Sequence, residues 1–219
     1  MSAQAFYSRW ARLYDPVSRR IPGVADVRAR TADALDLELG DTVVEMGCGT
    51  GANLGYLRER VGPEGTVVGV DFSPGVLDRA AEHVAHNGWR NVHLVRGDAT
   101  RPPVAESEVD AVLATFVVGM FTDPVGVVER WCDLLGFGGR IALLNAARSR
   151  RPYGPLVNAP FRAFVLASTP GKRRRETPAH ELLDRRVEAG HAALERHCER
   201  TVHEDRLLGL LRLSAGRVL

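Results

Sequence analysis

Short apolar runs alternate with amphipathic stretches between residue 41 and about residue 145. Five runs have the length of single strands, and they begin at Thr42, Gly65, Val92, Val109 and Arg140. The stretch from Ser73 to His86 has Pro74 in its first turn and apolar residues on one face, which predicts a helix. Nearly continuous apolar strands separated by helices are typical of a parallel sheet covered on both faces. The pattern therefore predicts an α/β fold with a doubly wound sheet.

The pattern is weaker on both sides of this core. Residues 2–39 predict one or two helices broken near Pro16 and Pro22, and the proline-rich residues 146–178 predict irregular structure. Helical spacing returns between His180 and Cys198. The stretch from residue 201 to 218 fits either a β-hairpin that turns near Gly209 or more helix.

Composition changes this picture little. The chain has 219 residues, of which 45% are hydrophobic and 26% charged, and these values are ordinary for one globular domain. We divide that domain into residues 1–39, a core of residues 40–147 and a C-terminal part of residues 148–219. The net charge of +2 gives no argument for nucleic acid.

The cysteines and the apolar runs bear on the cellular location of the protein and on possible zinc sites. The three cysteines are far apart and form no CxxC pair, so we expect no zinc site or disulfide and a cytoplasmic location. The first residues lack the apolar region of a signal peptide. The sequence contains no run of about 18 apolar residues, so we expect no membrane-spanning helix.

The strongest chemical signal follows the first predicted strand. Gly47, Gly49 and Gly51 are spaced by two and lead into a helix. Glycines allow a nucleotide-like ligand to approach the backbone, and the helix start offers free N–H groups. Dehydrogenases use G-x-G-x-x-G instead, and Glu45 so close to the glycines would repel a pyrophosphate. A carboxylate there suits a cationic ligand such as S-adenosylmethionine, although a purely structural turn is the alternative.

Two more carboxylates follow the next two predicted strands. Asp71 lies about 20 residues after the last glycine, where a carboxylate can accept both ribose hydroxyls. Asp98 follows the third strand, where it could accept the adenine amino group. Each residue alone is also typical of a solvated loop end or a helix cap. The ordered set at three strand ends indicates a nucleoside site.

Together these residues resemble the class I S-adenosylmethionine-dependent methyltransferases. The stretch from Glu45 to Gly51 resembles the first motif of that family, and the stretch from Asp110 to Phe116 resembles its fourth-strand motif. The turn from Leu134 to Arg140 is also similar, with Phe137 in place of the usual proline. The resemblance implies cofactor contacts from ten residues: Glu45, Gly47, Cys48, Gly49, Gly51, Asp71, Phe72, Asp98, Ala99 and Thr115. It also implies a Rossmann-like sheet, mostly parallel, with seven strands and an antiparallel last strand, and this favours the hairpin.

The N-terminal segment bears on the methyl acceptor. The stretch from Phe6 to Asp15 resembles the entry of methyltransferases that act on quinones and phospholipid head groups. By that resemblance Tyr7 and Tyr14 are lid residues, while the alternative is a helix whose aromatic residues pack on the core. The leading hypothesis is a small-molecule or lipid acceptor. No catalytic residue is assigned, because the methyl group arrives already activated and needs mainly alignment.

A basic segment runs from Arg148 to Arg175 with eight basic and no acidic residues. Its interleaved apolar residues are compatible with a peripheral contact with an anionic membrane. A solvated lid is the alternative. A further hypothesis is a protein or RNA methyltransferase that docks through this segment, and a non-catalytic binding protein is another. Asn158–Phe161 resembles a motif of base methyltransferases but follows the wrong strand, so a nucleic-acid acceptor is disfavoured.

Overall fold

The computed structural model describes residues 22–105, 108–168 and 178–219. These residues form seven strands: β1 (Thr42–Met46), β2 (Thr66–Asp71), β3 (Val92–Arg96), β4 (Ala111–Thr115), β5 (Arg140–Ala146), β6 (Cys198–Arg206) and β7 (Leu211–Val218). They also form six α-helices: α1 (Val24–Asp33), α2 (Leu54–Val61), α3 (Pro74–His86), α4 (Pro124–Leu135), α5 (Gly154–Ser168) and α6 (Ala179–His197). A 3₁₀ turn at Val118–Met120 follows β4.

The strands form one sheet in the order β3-β2-β1-β4-β5-β7-β6. The first five are parallel, and β7 is antiparallel to both β5 and β6. The predicted Rossmann-like sheet with an antiparallel last strand is confirmed. Because the chain reverses its direction of winding between β1 and β4, a crevice is expected at their carboxyl ends, where open α/β sheets bind ligands.

Both faces of the sheet are covered, which explains why the strands are almost entirely apolar. Val43 and Val44 are neighbours on β1, yet they pack into two different clusters. The Val44 cluster includes the fully buried Trp131 of α4 and Leu194 of α6. The Val43 cluster includes Leu54 of α2. Two packed faces hold the strand ends in fixed positions, so the side chains that follow those ends are placed precisely.

The prediction of irregular structure across residues 146–178 is wrong for Gly154–Ser168, which form α5. Pro155 lies in the first turn, where a missing backbone donor costs nothing. Pro160 lies inside the helix and removes one helical hydrogen bond. The helix forms despite this loss, so proline density alone misjudged the segment. None of the helices that the structure describes is long and apolar enough to span a membrane.

The C-terminal hairpin is confirmed, with β6 and β7 paired from Arg206↔Leu211 to Cys198↔Val218. Its turn contains Gly209, and Leu207, Leu208 and Gly209 all have positive φ. Near the other end of the described chain, α1 begins at Val24, and Gly23 before it has a φ of 84°. The break predicted near Pro16 lies outside the described residues.

Candidate functional site

The glycine turn after β1 has the backbone conformation that only glycine adopts without strain. Gly47, Gly49 and Gly51 have φ values of 72°, 58° and 80°. A Cβ on Gly51 would lie 2.7 Å from Leu54 Cδ1, whereas a Cβ on Gly49 would meet nothing closer than 4.0 Å. Gly51 is therefore required by packing on α2. Gly49 borders open space, which fits a position that a ligand approaches.

Asp71 joins the end of β2 to this glycine turn. Its Oδ2 accepts a hydrogen bond from the Gly49 backbone N–H at 3.1 Å, and its Oδ1 accepts one from the Ser73 N–H at 2.9 Å. Burial raises the pKa of the Asp71 carboxyl above its usual value, and the hydrogen bonds from Ser73 and Gly49 oppose that rise. The structure thus brings the predicted ribose acid and the predicted cofactor turn into direct contact.

Glu45 belongs to a buried polar network beneath the turn. Asn53 Nδ2 donates to Glu45 Oε1 at 2.5 Å and to Thr115 Oγ1 at 2.9 Å. Arg28 Nη1 donates to Asn53 Oδ1 at 2.8 Å. All four side chains are less than 9% exposed. The network ties α1, β1, the start of α2 and the end of β4 together at one point.

Arg28 and Asn53 were not predicted as site residues. Asn53 directly precedes α2, but its side chain binds Glu45 and Thr115 and does not cap the helix. Arg28 lies among the buried residues Val24, Val27 and Thr31 of α1. An arginine within the apolar face of a short helix is the signal that sequence reasoning could have used, because arginine is rarely buried without a partner.

The Cys48 side chain belongs to the hydrophobic core. It is 4% exposed and packs where a Cβ on Gly69 would lie 2.9 Å from its Sγ. Burial, and then the nearby charges of Glu45 and Asp71, raises the pKa of the Cys48 thiol well above its usual value. A thiol in this state is a core residue. Any contact of Cys48 with a cofactor would therefore come from its backbone.

The predicted adenine side of the site is less enclosed. Asp98 is exposed, and its Oδ1 accepts a hydrogen bond from the Thr100 N–H at 2.8 Å. Ala99 is buried, and its carbonyl accepts a hydrogen bond from Trp131 Nε1 at 2.8 Å. The Gly97 N–H donates to the Asp71 carbonyl at 3.1 Å. These bonds hold the Asp98 loop beside β2, and Phe72 is partly buried next to Asp71. The adenine contacts remain a prediction.

The segments that were predicted to bear on the acceptor lie beyond the ends of β4 and β5. Phe116, the residue after β4, has a positive φ of 59°. The basic segment starts after β5, and its first two arginines form ion pairs with α6: Arg148 with Asp184, and Arg150 with Glu188 at 2.8 Å. The predicted lid residues Tyr7 and Tyr14 lie outside the described residues.

A second buried network joins α6 to β5 and β7. His191 of α6 lies 3.2 Å from Asn145 Nδ2 through its Nε2 and 2.8 Å from Ser214 Oγ through its Nδ1. Burial, and then the charges of Arg212 and His203, lowers the pKa of His191 to about 3. His191 is therefore neutral and structural at neutral pH. Within the described residues no group of histidine, cysteine and carboxylate side chains could hold a metal ion.

A glycine turn, a ribose-type carboxylate and a switch point in a parallel sheet define a Rossmann-like nucleoside-binding domain. Residues 43–139 match the family model described as a methyltransferase domain. This match supports the predicted class, the class I S-adenosylmethionine-dependent methyltransferases, and S-adenosyl-L-methionine is the cofactor of that class. The predicted class and cofactor are confirmed at this level, whereas the individual contact residues stay predictions.

Related proteins agree with this assignment. The chain is 36% identical over 116 residues to aklanonic acid methyltransferase DauC of a Streptomyces species, which covers 53% of each chain. It is 31% identical over 125 residues to demethylmenaquinone methyltransferase of Shouchella clausii, covering 57% of this chain and 53% of the relative. The matched part thus spans about half the length of these curated relatives. A solved methyltransferase structure from Aquifex aeolicus aligns with 97% of this chain and 98% of its own at a TM-score of 0.66; with 18% identity, it supports the fold alone.

Proposed function

We propose that the protein transfers a methyl group from S-adenosylmethionine to a small, largely apolar acceptor. The acceptor would lie beside the glycine turn, under the surface formed by α5. The observation that carries this proposal is the apolar and exposed character of α5 next to the cofactor edge of the sheet. A quinone or a lipid head group is the finer form of the same proposal.

The helix α5 has no acidic residue and only one basic residue, Arg162. Its Leu156 is 80% exposed and its Leu166 is 53% exposed. A cluster of exposed apolar side chains commonly marks a binding surface. Asn158 ties the helix to the end of β5, because its Nδ2 donates to the Ser149 carbonyl at 3.0 Å and its Oδ1 accepts from the Ser149 N–H at 2.8 Å. The apolar surface is thus anchored at the edge where the cofactor site lies.

The names of the two relatives support a small-molecule acceptor. One is named for aklanonic acid and the other for demethylmenaquinone. Both identities are moderate, so these names favour a class of acceptor and do not select one compound.

The chemistry asked of the chain is modest. The cofactor, when bound, supplies a methyl carbon already activated by its sulfonium. The chain has to hold the ribose through Asp71, hold the amino acid end near Glu45, and align the acceptor while excluding water. We assign no general base. His191 is buried, both of its ring nitrogens already have partners, and its lowered pKa of about 3 makes it a weak proton acceptor.

The test measures transfer of labelled methyl from S-adenosylmethionine in three separate assays, with a total lipid extract, with a pool of soluble metabolites, and with added total protein and RNA. Label in the organic phase supports a quinone or lipid acceptor. Label in a soluble apolar compound supports the broader form only. Label that appears only in added protein or RNA contradicts the proposal and favours a macromolecular acceptor docked on the basic segment.

A pair of variants connects this assay to α5. Leu156→Asp should lower acceptor turnover at least about tenfold, because burying a carboxylate against an apolar ligand is costly. Phe137→Asp is the matched control, since Phe137 is 89% exposed but precedes the amino end of β5, at the opposite edge of the sheet. Equal turnover by the two variants would argue against α5 as the acceptor surface. Cofactor affinity should stay unchanged in both.

A further inference from the structure

The helix α5 is apolar on two opposite faces. It packs on α6, and on its inner face Val165 is buried and Phe161 is half-buried. Its outer face is exposed, and apolar residues there are spaced by three, four and three positions, which places them in one stripe along the helix. We call these residues the outer stripe: Leu156, Ala159, Ala163 and Leu166. A helix that is apolar all round is typically covered on both sides, so the outer stripe is a candidate contact surface.

The charged residues on and just before α5 are all positive. Arg162 is the one charged residue in the sequence of α5, and it is exposed beside the outer stripe. Arg148 and Arg150 pair with carboxylates of α6, whereas Arg151 is exposed at the start of the helix. The sequence from Arg148 to Arg175 contains no acidic residue. The occupant that matches this surface therefore has an apolar interior and a negatively charged boundary.

Three other occupants match these features less well. A second copy packed through α5 would bring its own Arg162 and no carboxylate from that helix, so like charges would meet. Residues 1–21 of this chain contain four arginines and one aspartate, so that segment is cationic as well. An RNA would place its phosphates against aliphatic side chains, and the outer stripe has no aromatic side chain on which a base could stack.

We propose that the outer stripe docks the protein on an anionic lipid bilayer. Leu156 and Leu166 insert at the boundary between head groups and acyl chains, and Arg151 and Arg162 lie against lipid phosphates. The helix has 15 residues, whereas a span needs about 20, so α5 lies along the bilayer surface and does not cross it.

This inference goes beyond the proposed function. Asn158 ties α5 to Ser149 after β5, so docking brings the carboxyl edge of the sheet close to the bilayer. A lipid-soluble acceptor could then reach the cofactor edge directly from the membrane. Docking itself needs neither cofactor nor acceptor, so vesicle binding and methyl transfer can fail independently of each other.

The experiment measures co-sedimentation of the full chain with vesicles in the absence of cofactor. One set of vesicles contains phosphatidylcholine alone, and the other contains equal parts of phosphatidylcholine and phosphatidylglycerol. Docking predicts binding at least about tenfold tighter to the mixed vesicles, and this difference should shrink as salt is added. Phosphatidylserine in place of phosphatidylglycerol should give the same result, because the surface responds to charge and not to one head group.

Two pairs of variants separate the apolar and the charged contributions. Leu156→Asp should weaken binding to the mixed vesicles at least about tenfold, and Leu166→Asp should act in the same direction. Phe137→Asp is the matched control, because Phe137 is exposed and precedes the amino end of β5. Arg162→Gln should weaken binding about fivefold. Its control is Arg90→Gln, since Arg90 is exposed and precedes the amino end of β3. Both controls should bind like the wild type.

Four outcomes would overturn the docking surface. They are equal binding of the wild type to the two kinds of vesicle, binding to neither, equal losses in Leu156→Asp and Phe137→Asp, and salt-sensitive binding to total RNA without binding to vesicles. A dimer in sedimentation velocity that Leu156→Asp dissociates would assign the outer stripe to a second copy and also overturn it. Should Leu156→Asp not fold, as judged by its thermal unfolding, Leu166→Asp and the two kinds of vesicle with the wild type still decide. Vesicle binding without methyl transfer to any acceptor would overturn the proposed function and leave the docking surface intact.

Discussion

The carboxyl ends of β1, β2 and β4 differ sharply from the surface beyond β5. At the first region, polar side chains from separate elements are hydrogen-bonded to one another. Asp71 binds the glycine turn. A second network joins Arg28, Asn53, Glu45 and Thr115. At the second region, α5 presents apolar side chains to solvent, and Asn158 ties the helix to Ser149 after β5. The difference matches the proposed division of roles. The region assigned to the cofactor is built from side chains that hold one another in place, whereas the region proposed for the acceptor is an exposed surface whose side chains can change with little cost to the fold.

The largest effect on cofactor affinity is expected at Asp71, which is hydrogen-bonded to the glycine turn. Asp71→Ala removes the predicted ribose contact and also the acceptor of the Gly49 and Ser73 N–H groups. Two charge-assisted hydrogen bonds to a ligand are worth about 1.5–3 kcal/mol each, so cofactor affinity should fall on the order of 100-fold or more. Calorimetric titration measures it, with the exposed Asp78→Ala of α3 as control. Affinity within about threefold of the wild type would remove Asp71 from the ribose site.

The same titration repeated at lower pH sharpens this prediction. Because burial raises the pKa of Asp71, its carboxylate becomes protonated at a higher pH than an ordinary aspartate. Binding that needs the charged form is therefore full at neutral pH and declines as the pH falls through that raised pKa. Cofactor affinity of the wild type should therefore fall as the pH is lowered stepwise from 7.5 into the acidic range, and Asp71→Asn should show less of that decline.

A substitution in the glycine turn should destabilise the fold through backbone strain and steric overlap more than through lost hydrogen bonds. Gly51→Ala places a side chain at φ 80° and a Cβ 2.7 Å from Leu54 Cδ1. Left-handed backbone costs roughly 1–2 kcal/mol for a non-glycine residue, and the overlap adds to it. The variant should lose about 2 kcal/mol of unfolding free energy in urea. The control Gly75→Ala has nothing within 4 Å of its Cβ and should be neutral. A fully stable Gly51→Ala would mean that the turn is more adaptable than its geometry indicates.

Much of the first region could be predicted from sequence, and much of the second could not. Apolar runs and the spacing of Gly47, Gly49 and Gly51 are local features, so strands and turn were found almost residue by residue. Arg28 and Asn53 were missed because they are 25 positions apart and meet only when α1 packs on α2. The helix α5 was missed because its prolines mask a helix that packing at the end of β5 supports.

The buried network around His191 lies beneath the second region. The pH dependence of the unfolding free energy tests whether this network constrains the fold there. The pKa of His191 is about 3 in the folded chain and its ordinary value is 6.5. As the pH falls below about 6.5, the unfolded chain takes up the proton first, so stability present above that pH is lost toward pH 3. One such group contributes about 1.4 kcal/mol per pH unit. Urea unfolding at pH 7, 6 and 5 should show this extra slope in the wild type and lose it in His191→Gln. The exposed His93→Gln should keep it, and equal slopes in all three proteins would place the acid sensitivity elsewhere.

The smallest effect is expected at the surface ion pairs behind α5. Arg150 lies 2.8 Å from Glu188, but the two side chains are 61% and 59% exposed. Exposed pairs of this kind contribute about 0–1 kcal/mol, and salt screens them further. Arg150→Ala should therefore leave the unfolding free energy almost unchanged. Arg148→Ala should cost more, because the Asp184 side chain is only 14% exposed and would keep only the hydrogen bond from the backbone N–H of residue 148 at 3.0 Å. If Arg150→Ala destabilised the protein as much as Gly51→Ala does, the surface beyond β5 would be as constrained as the cofactor region. The contrast between the two regions would then fail.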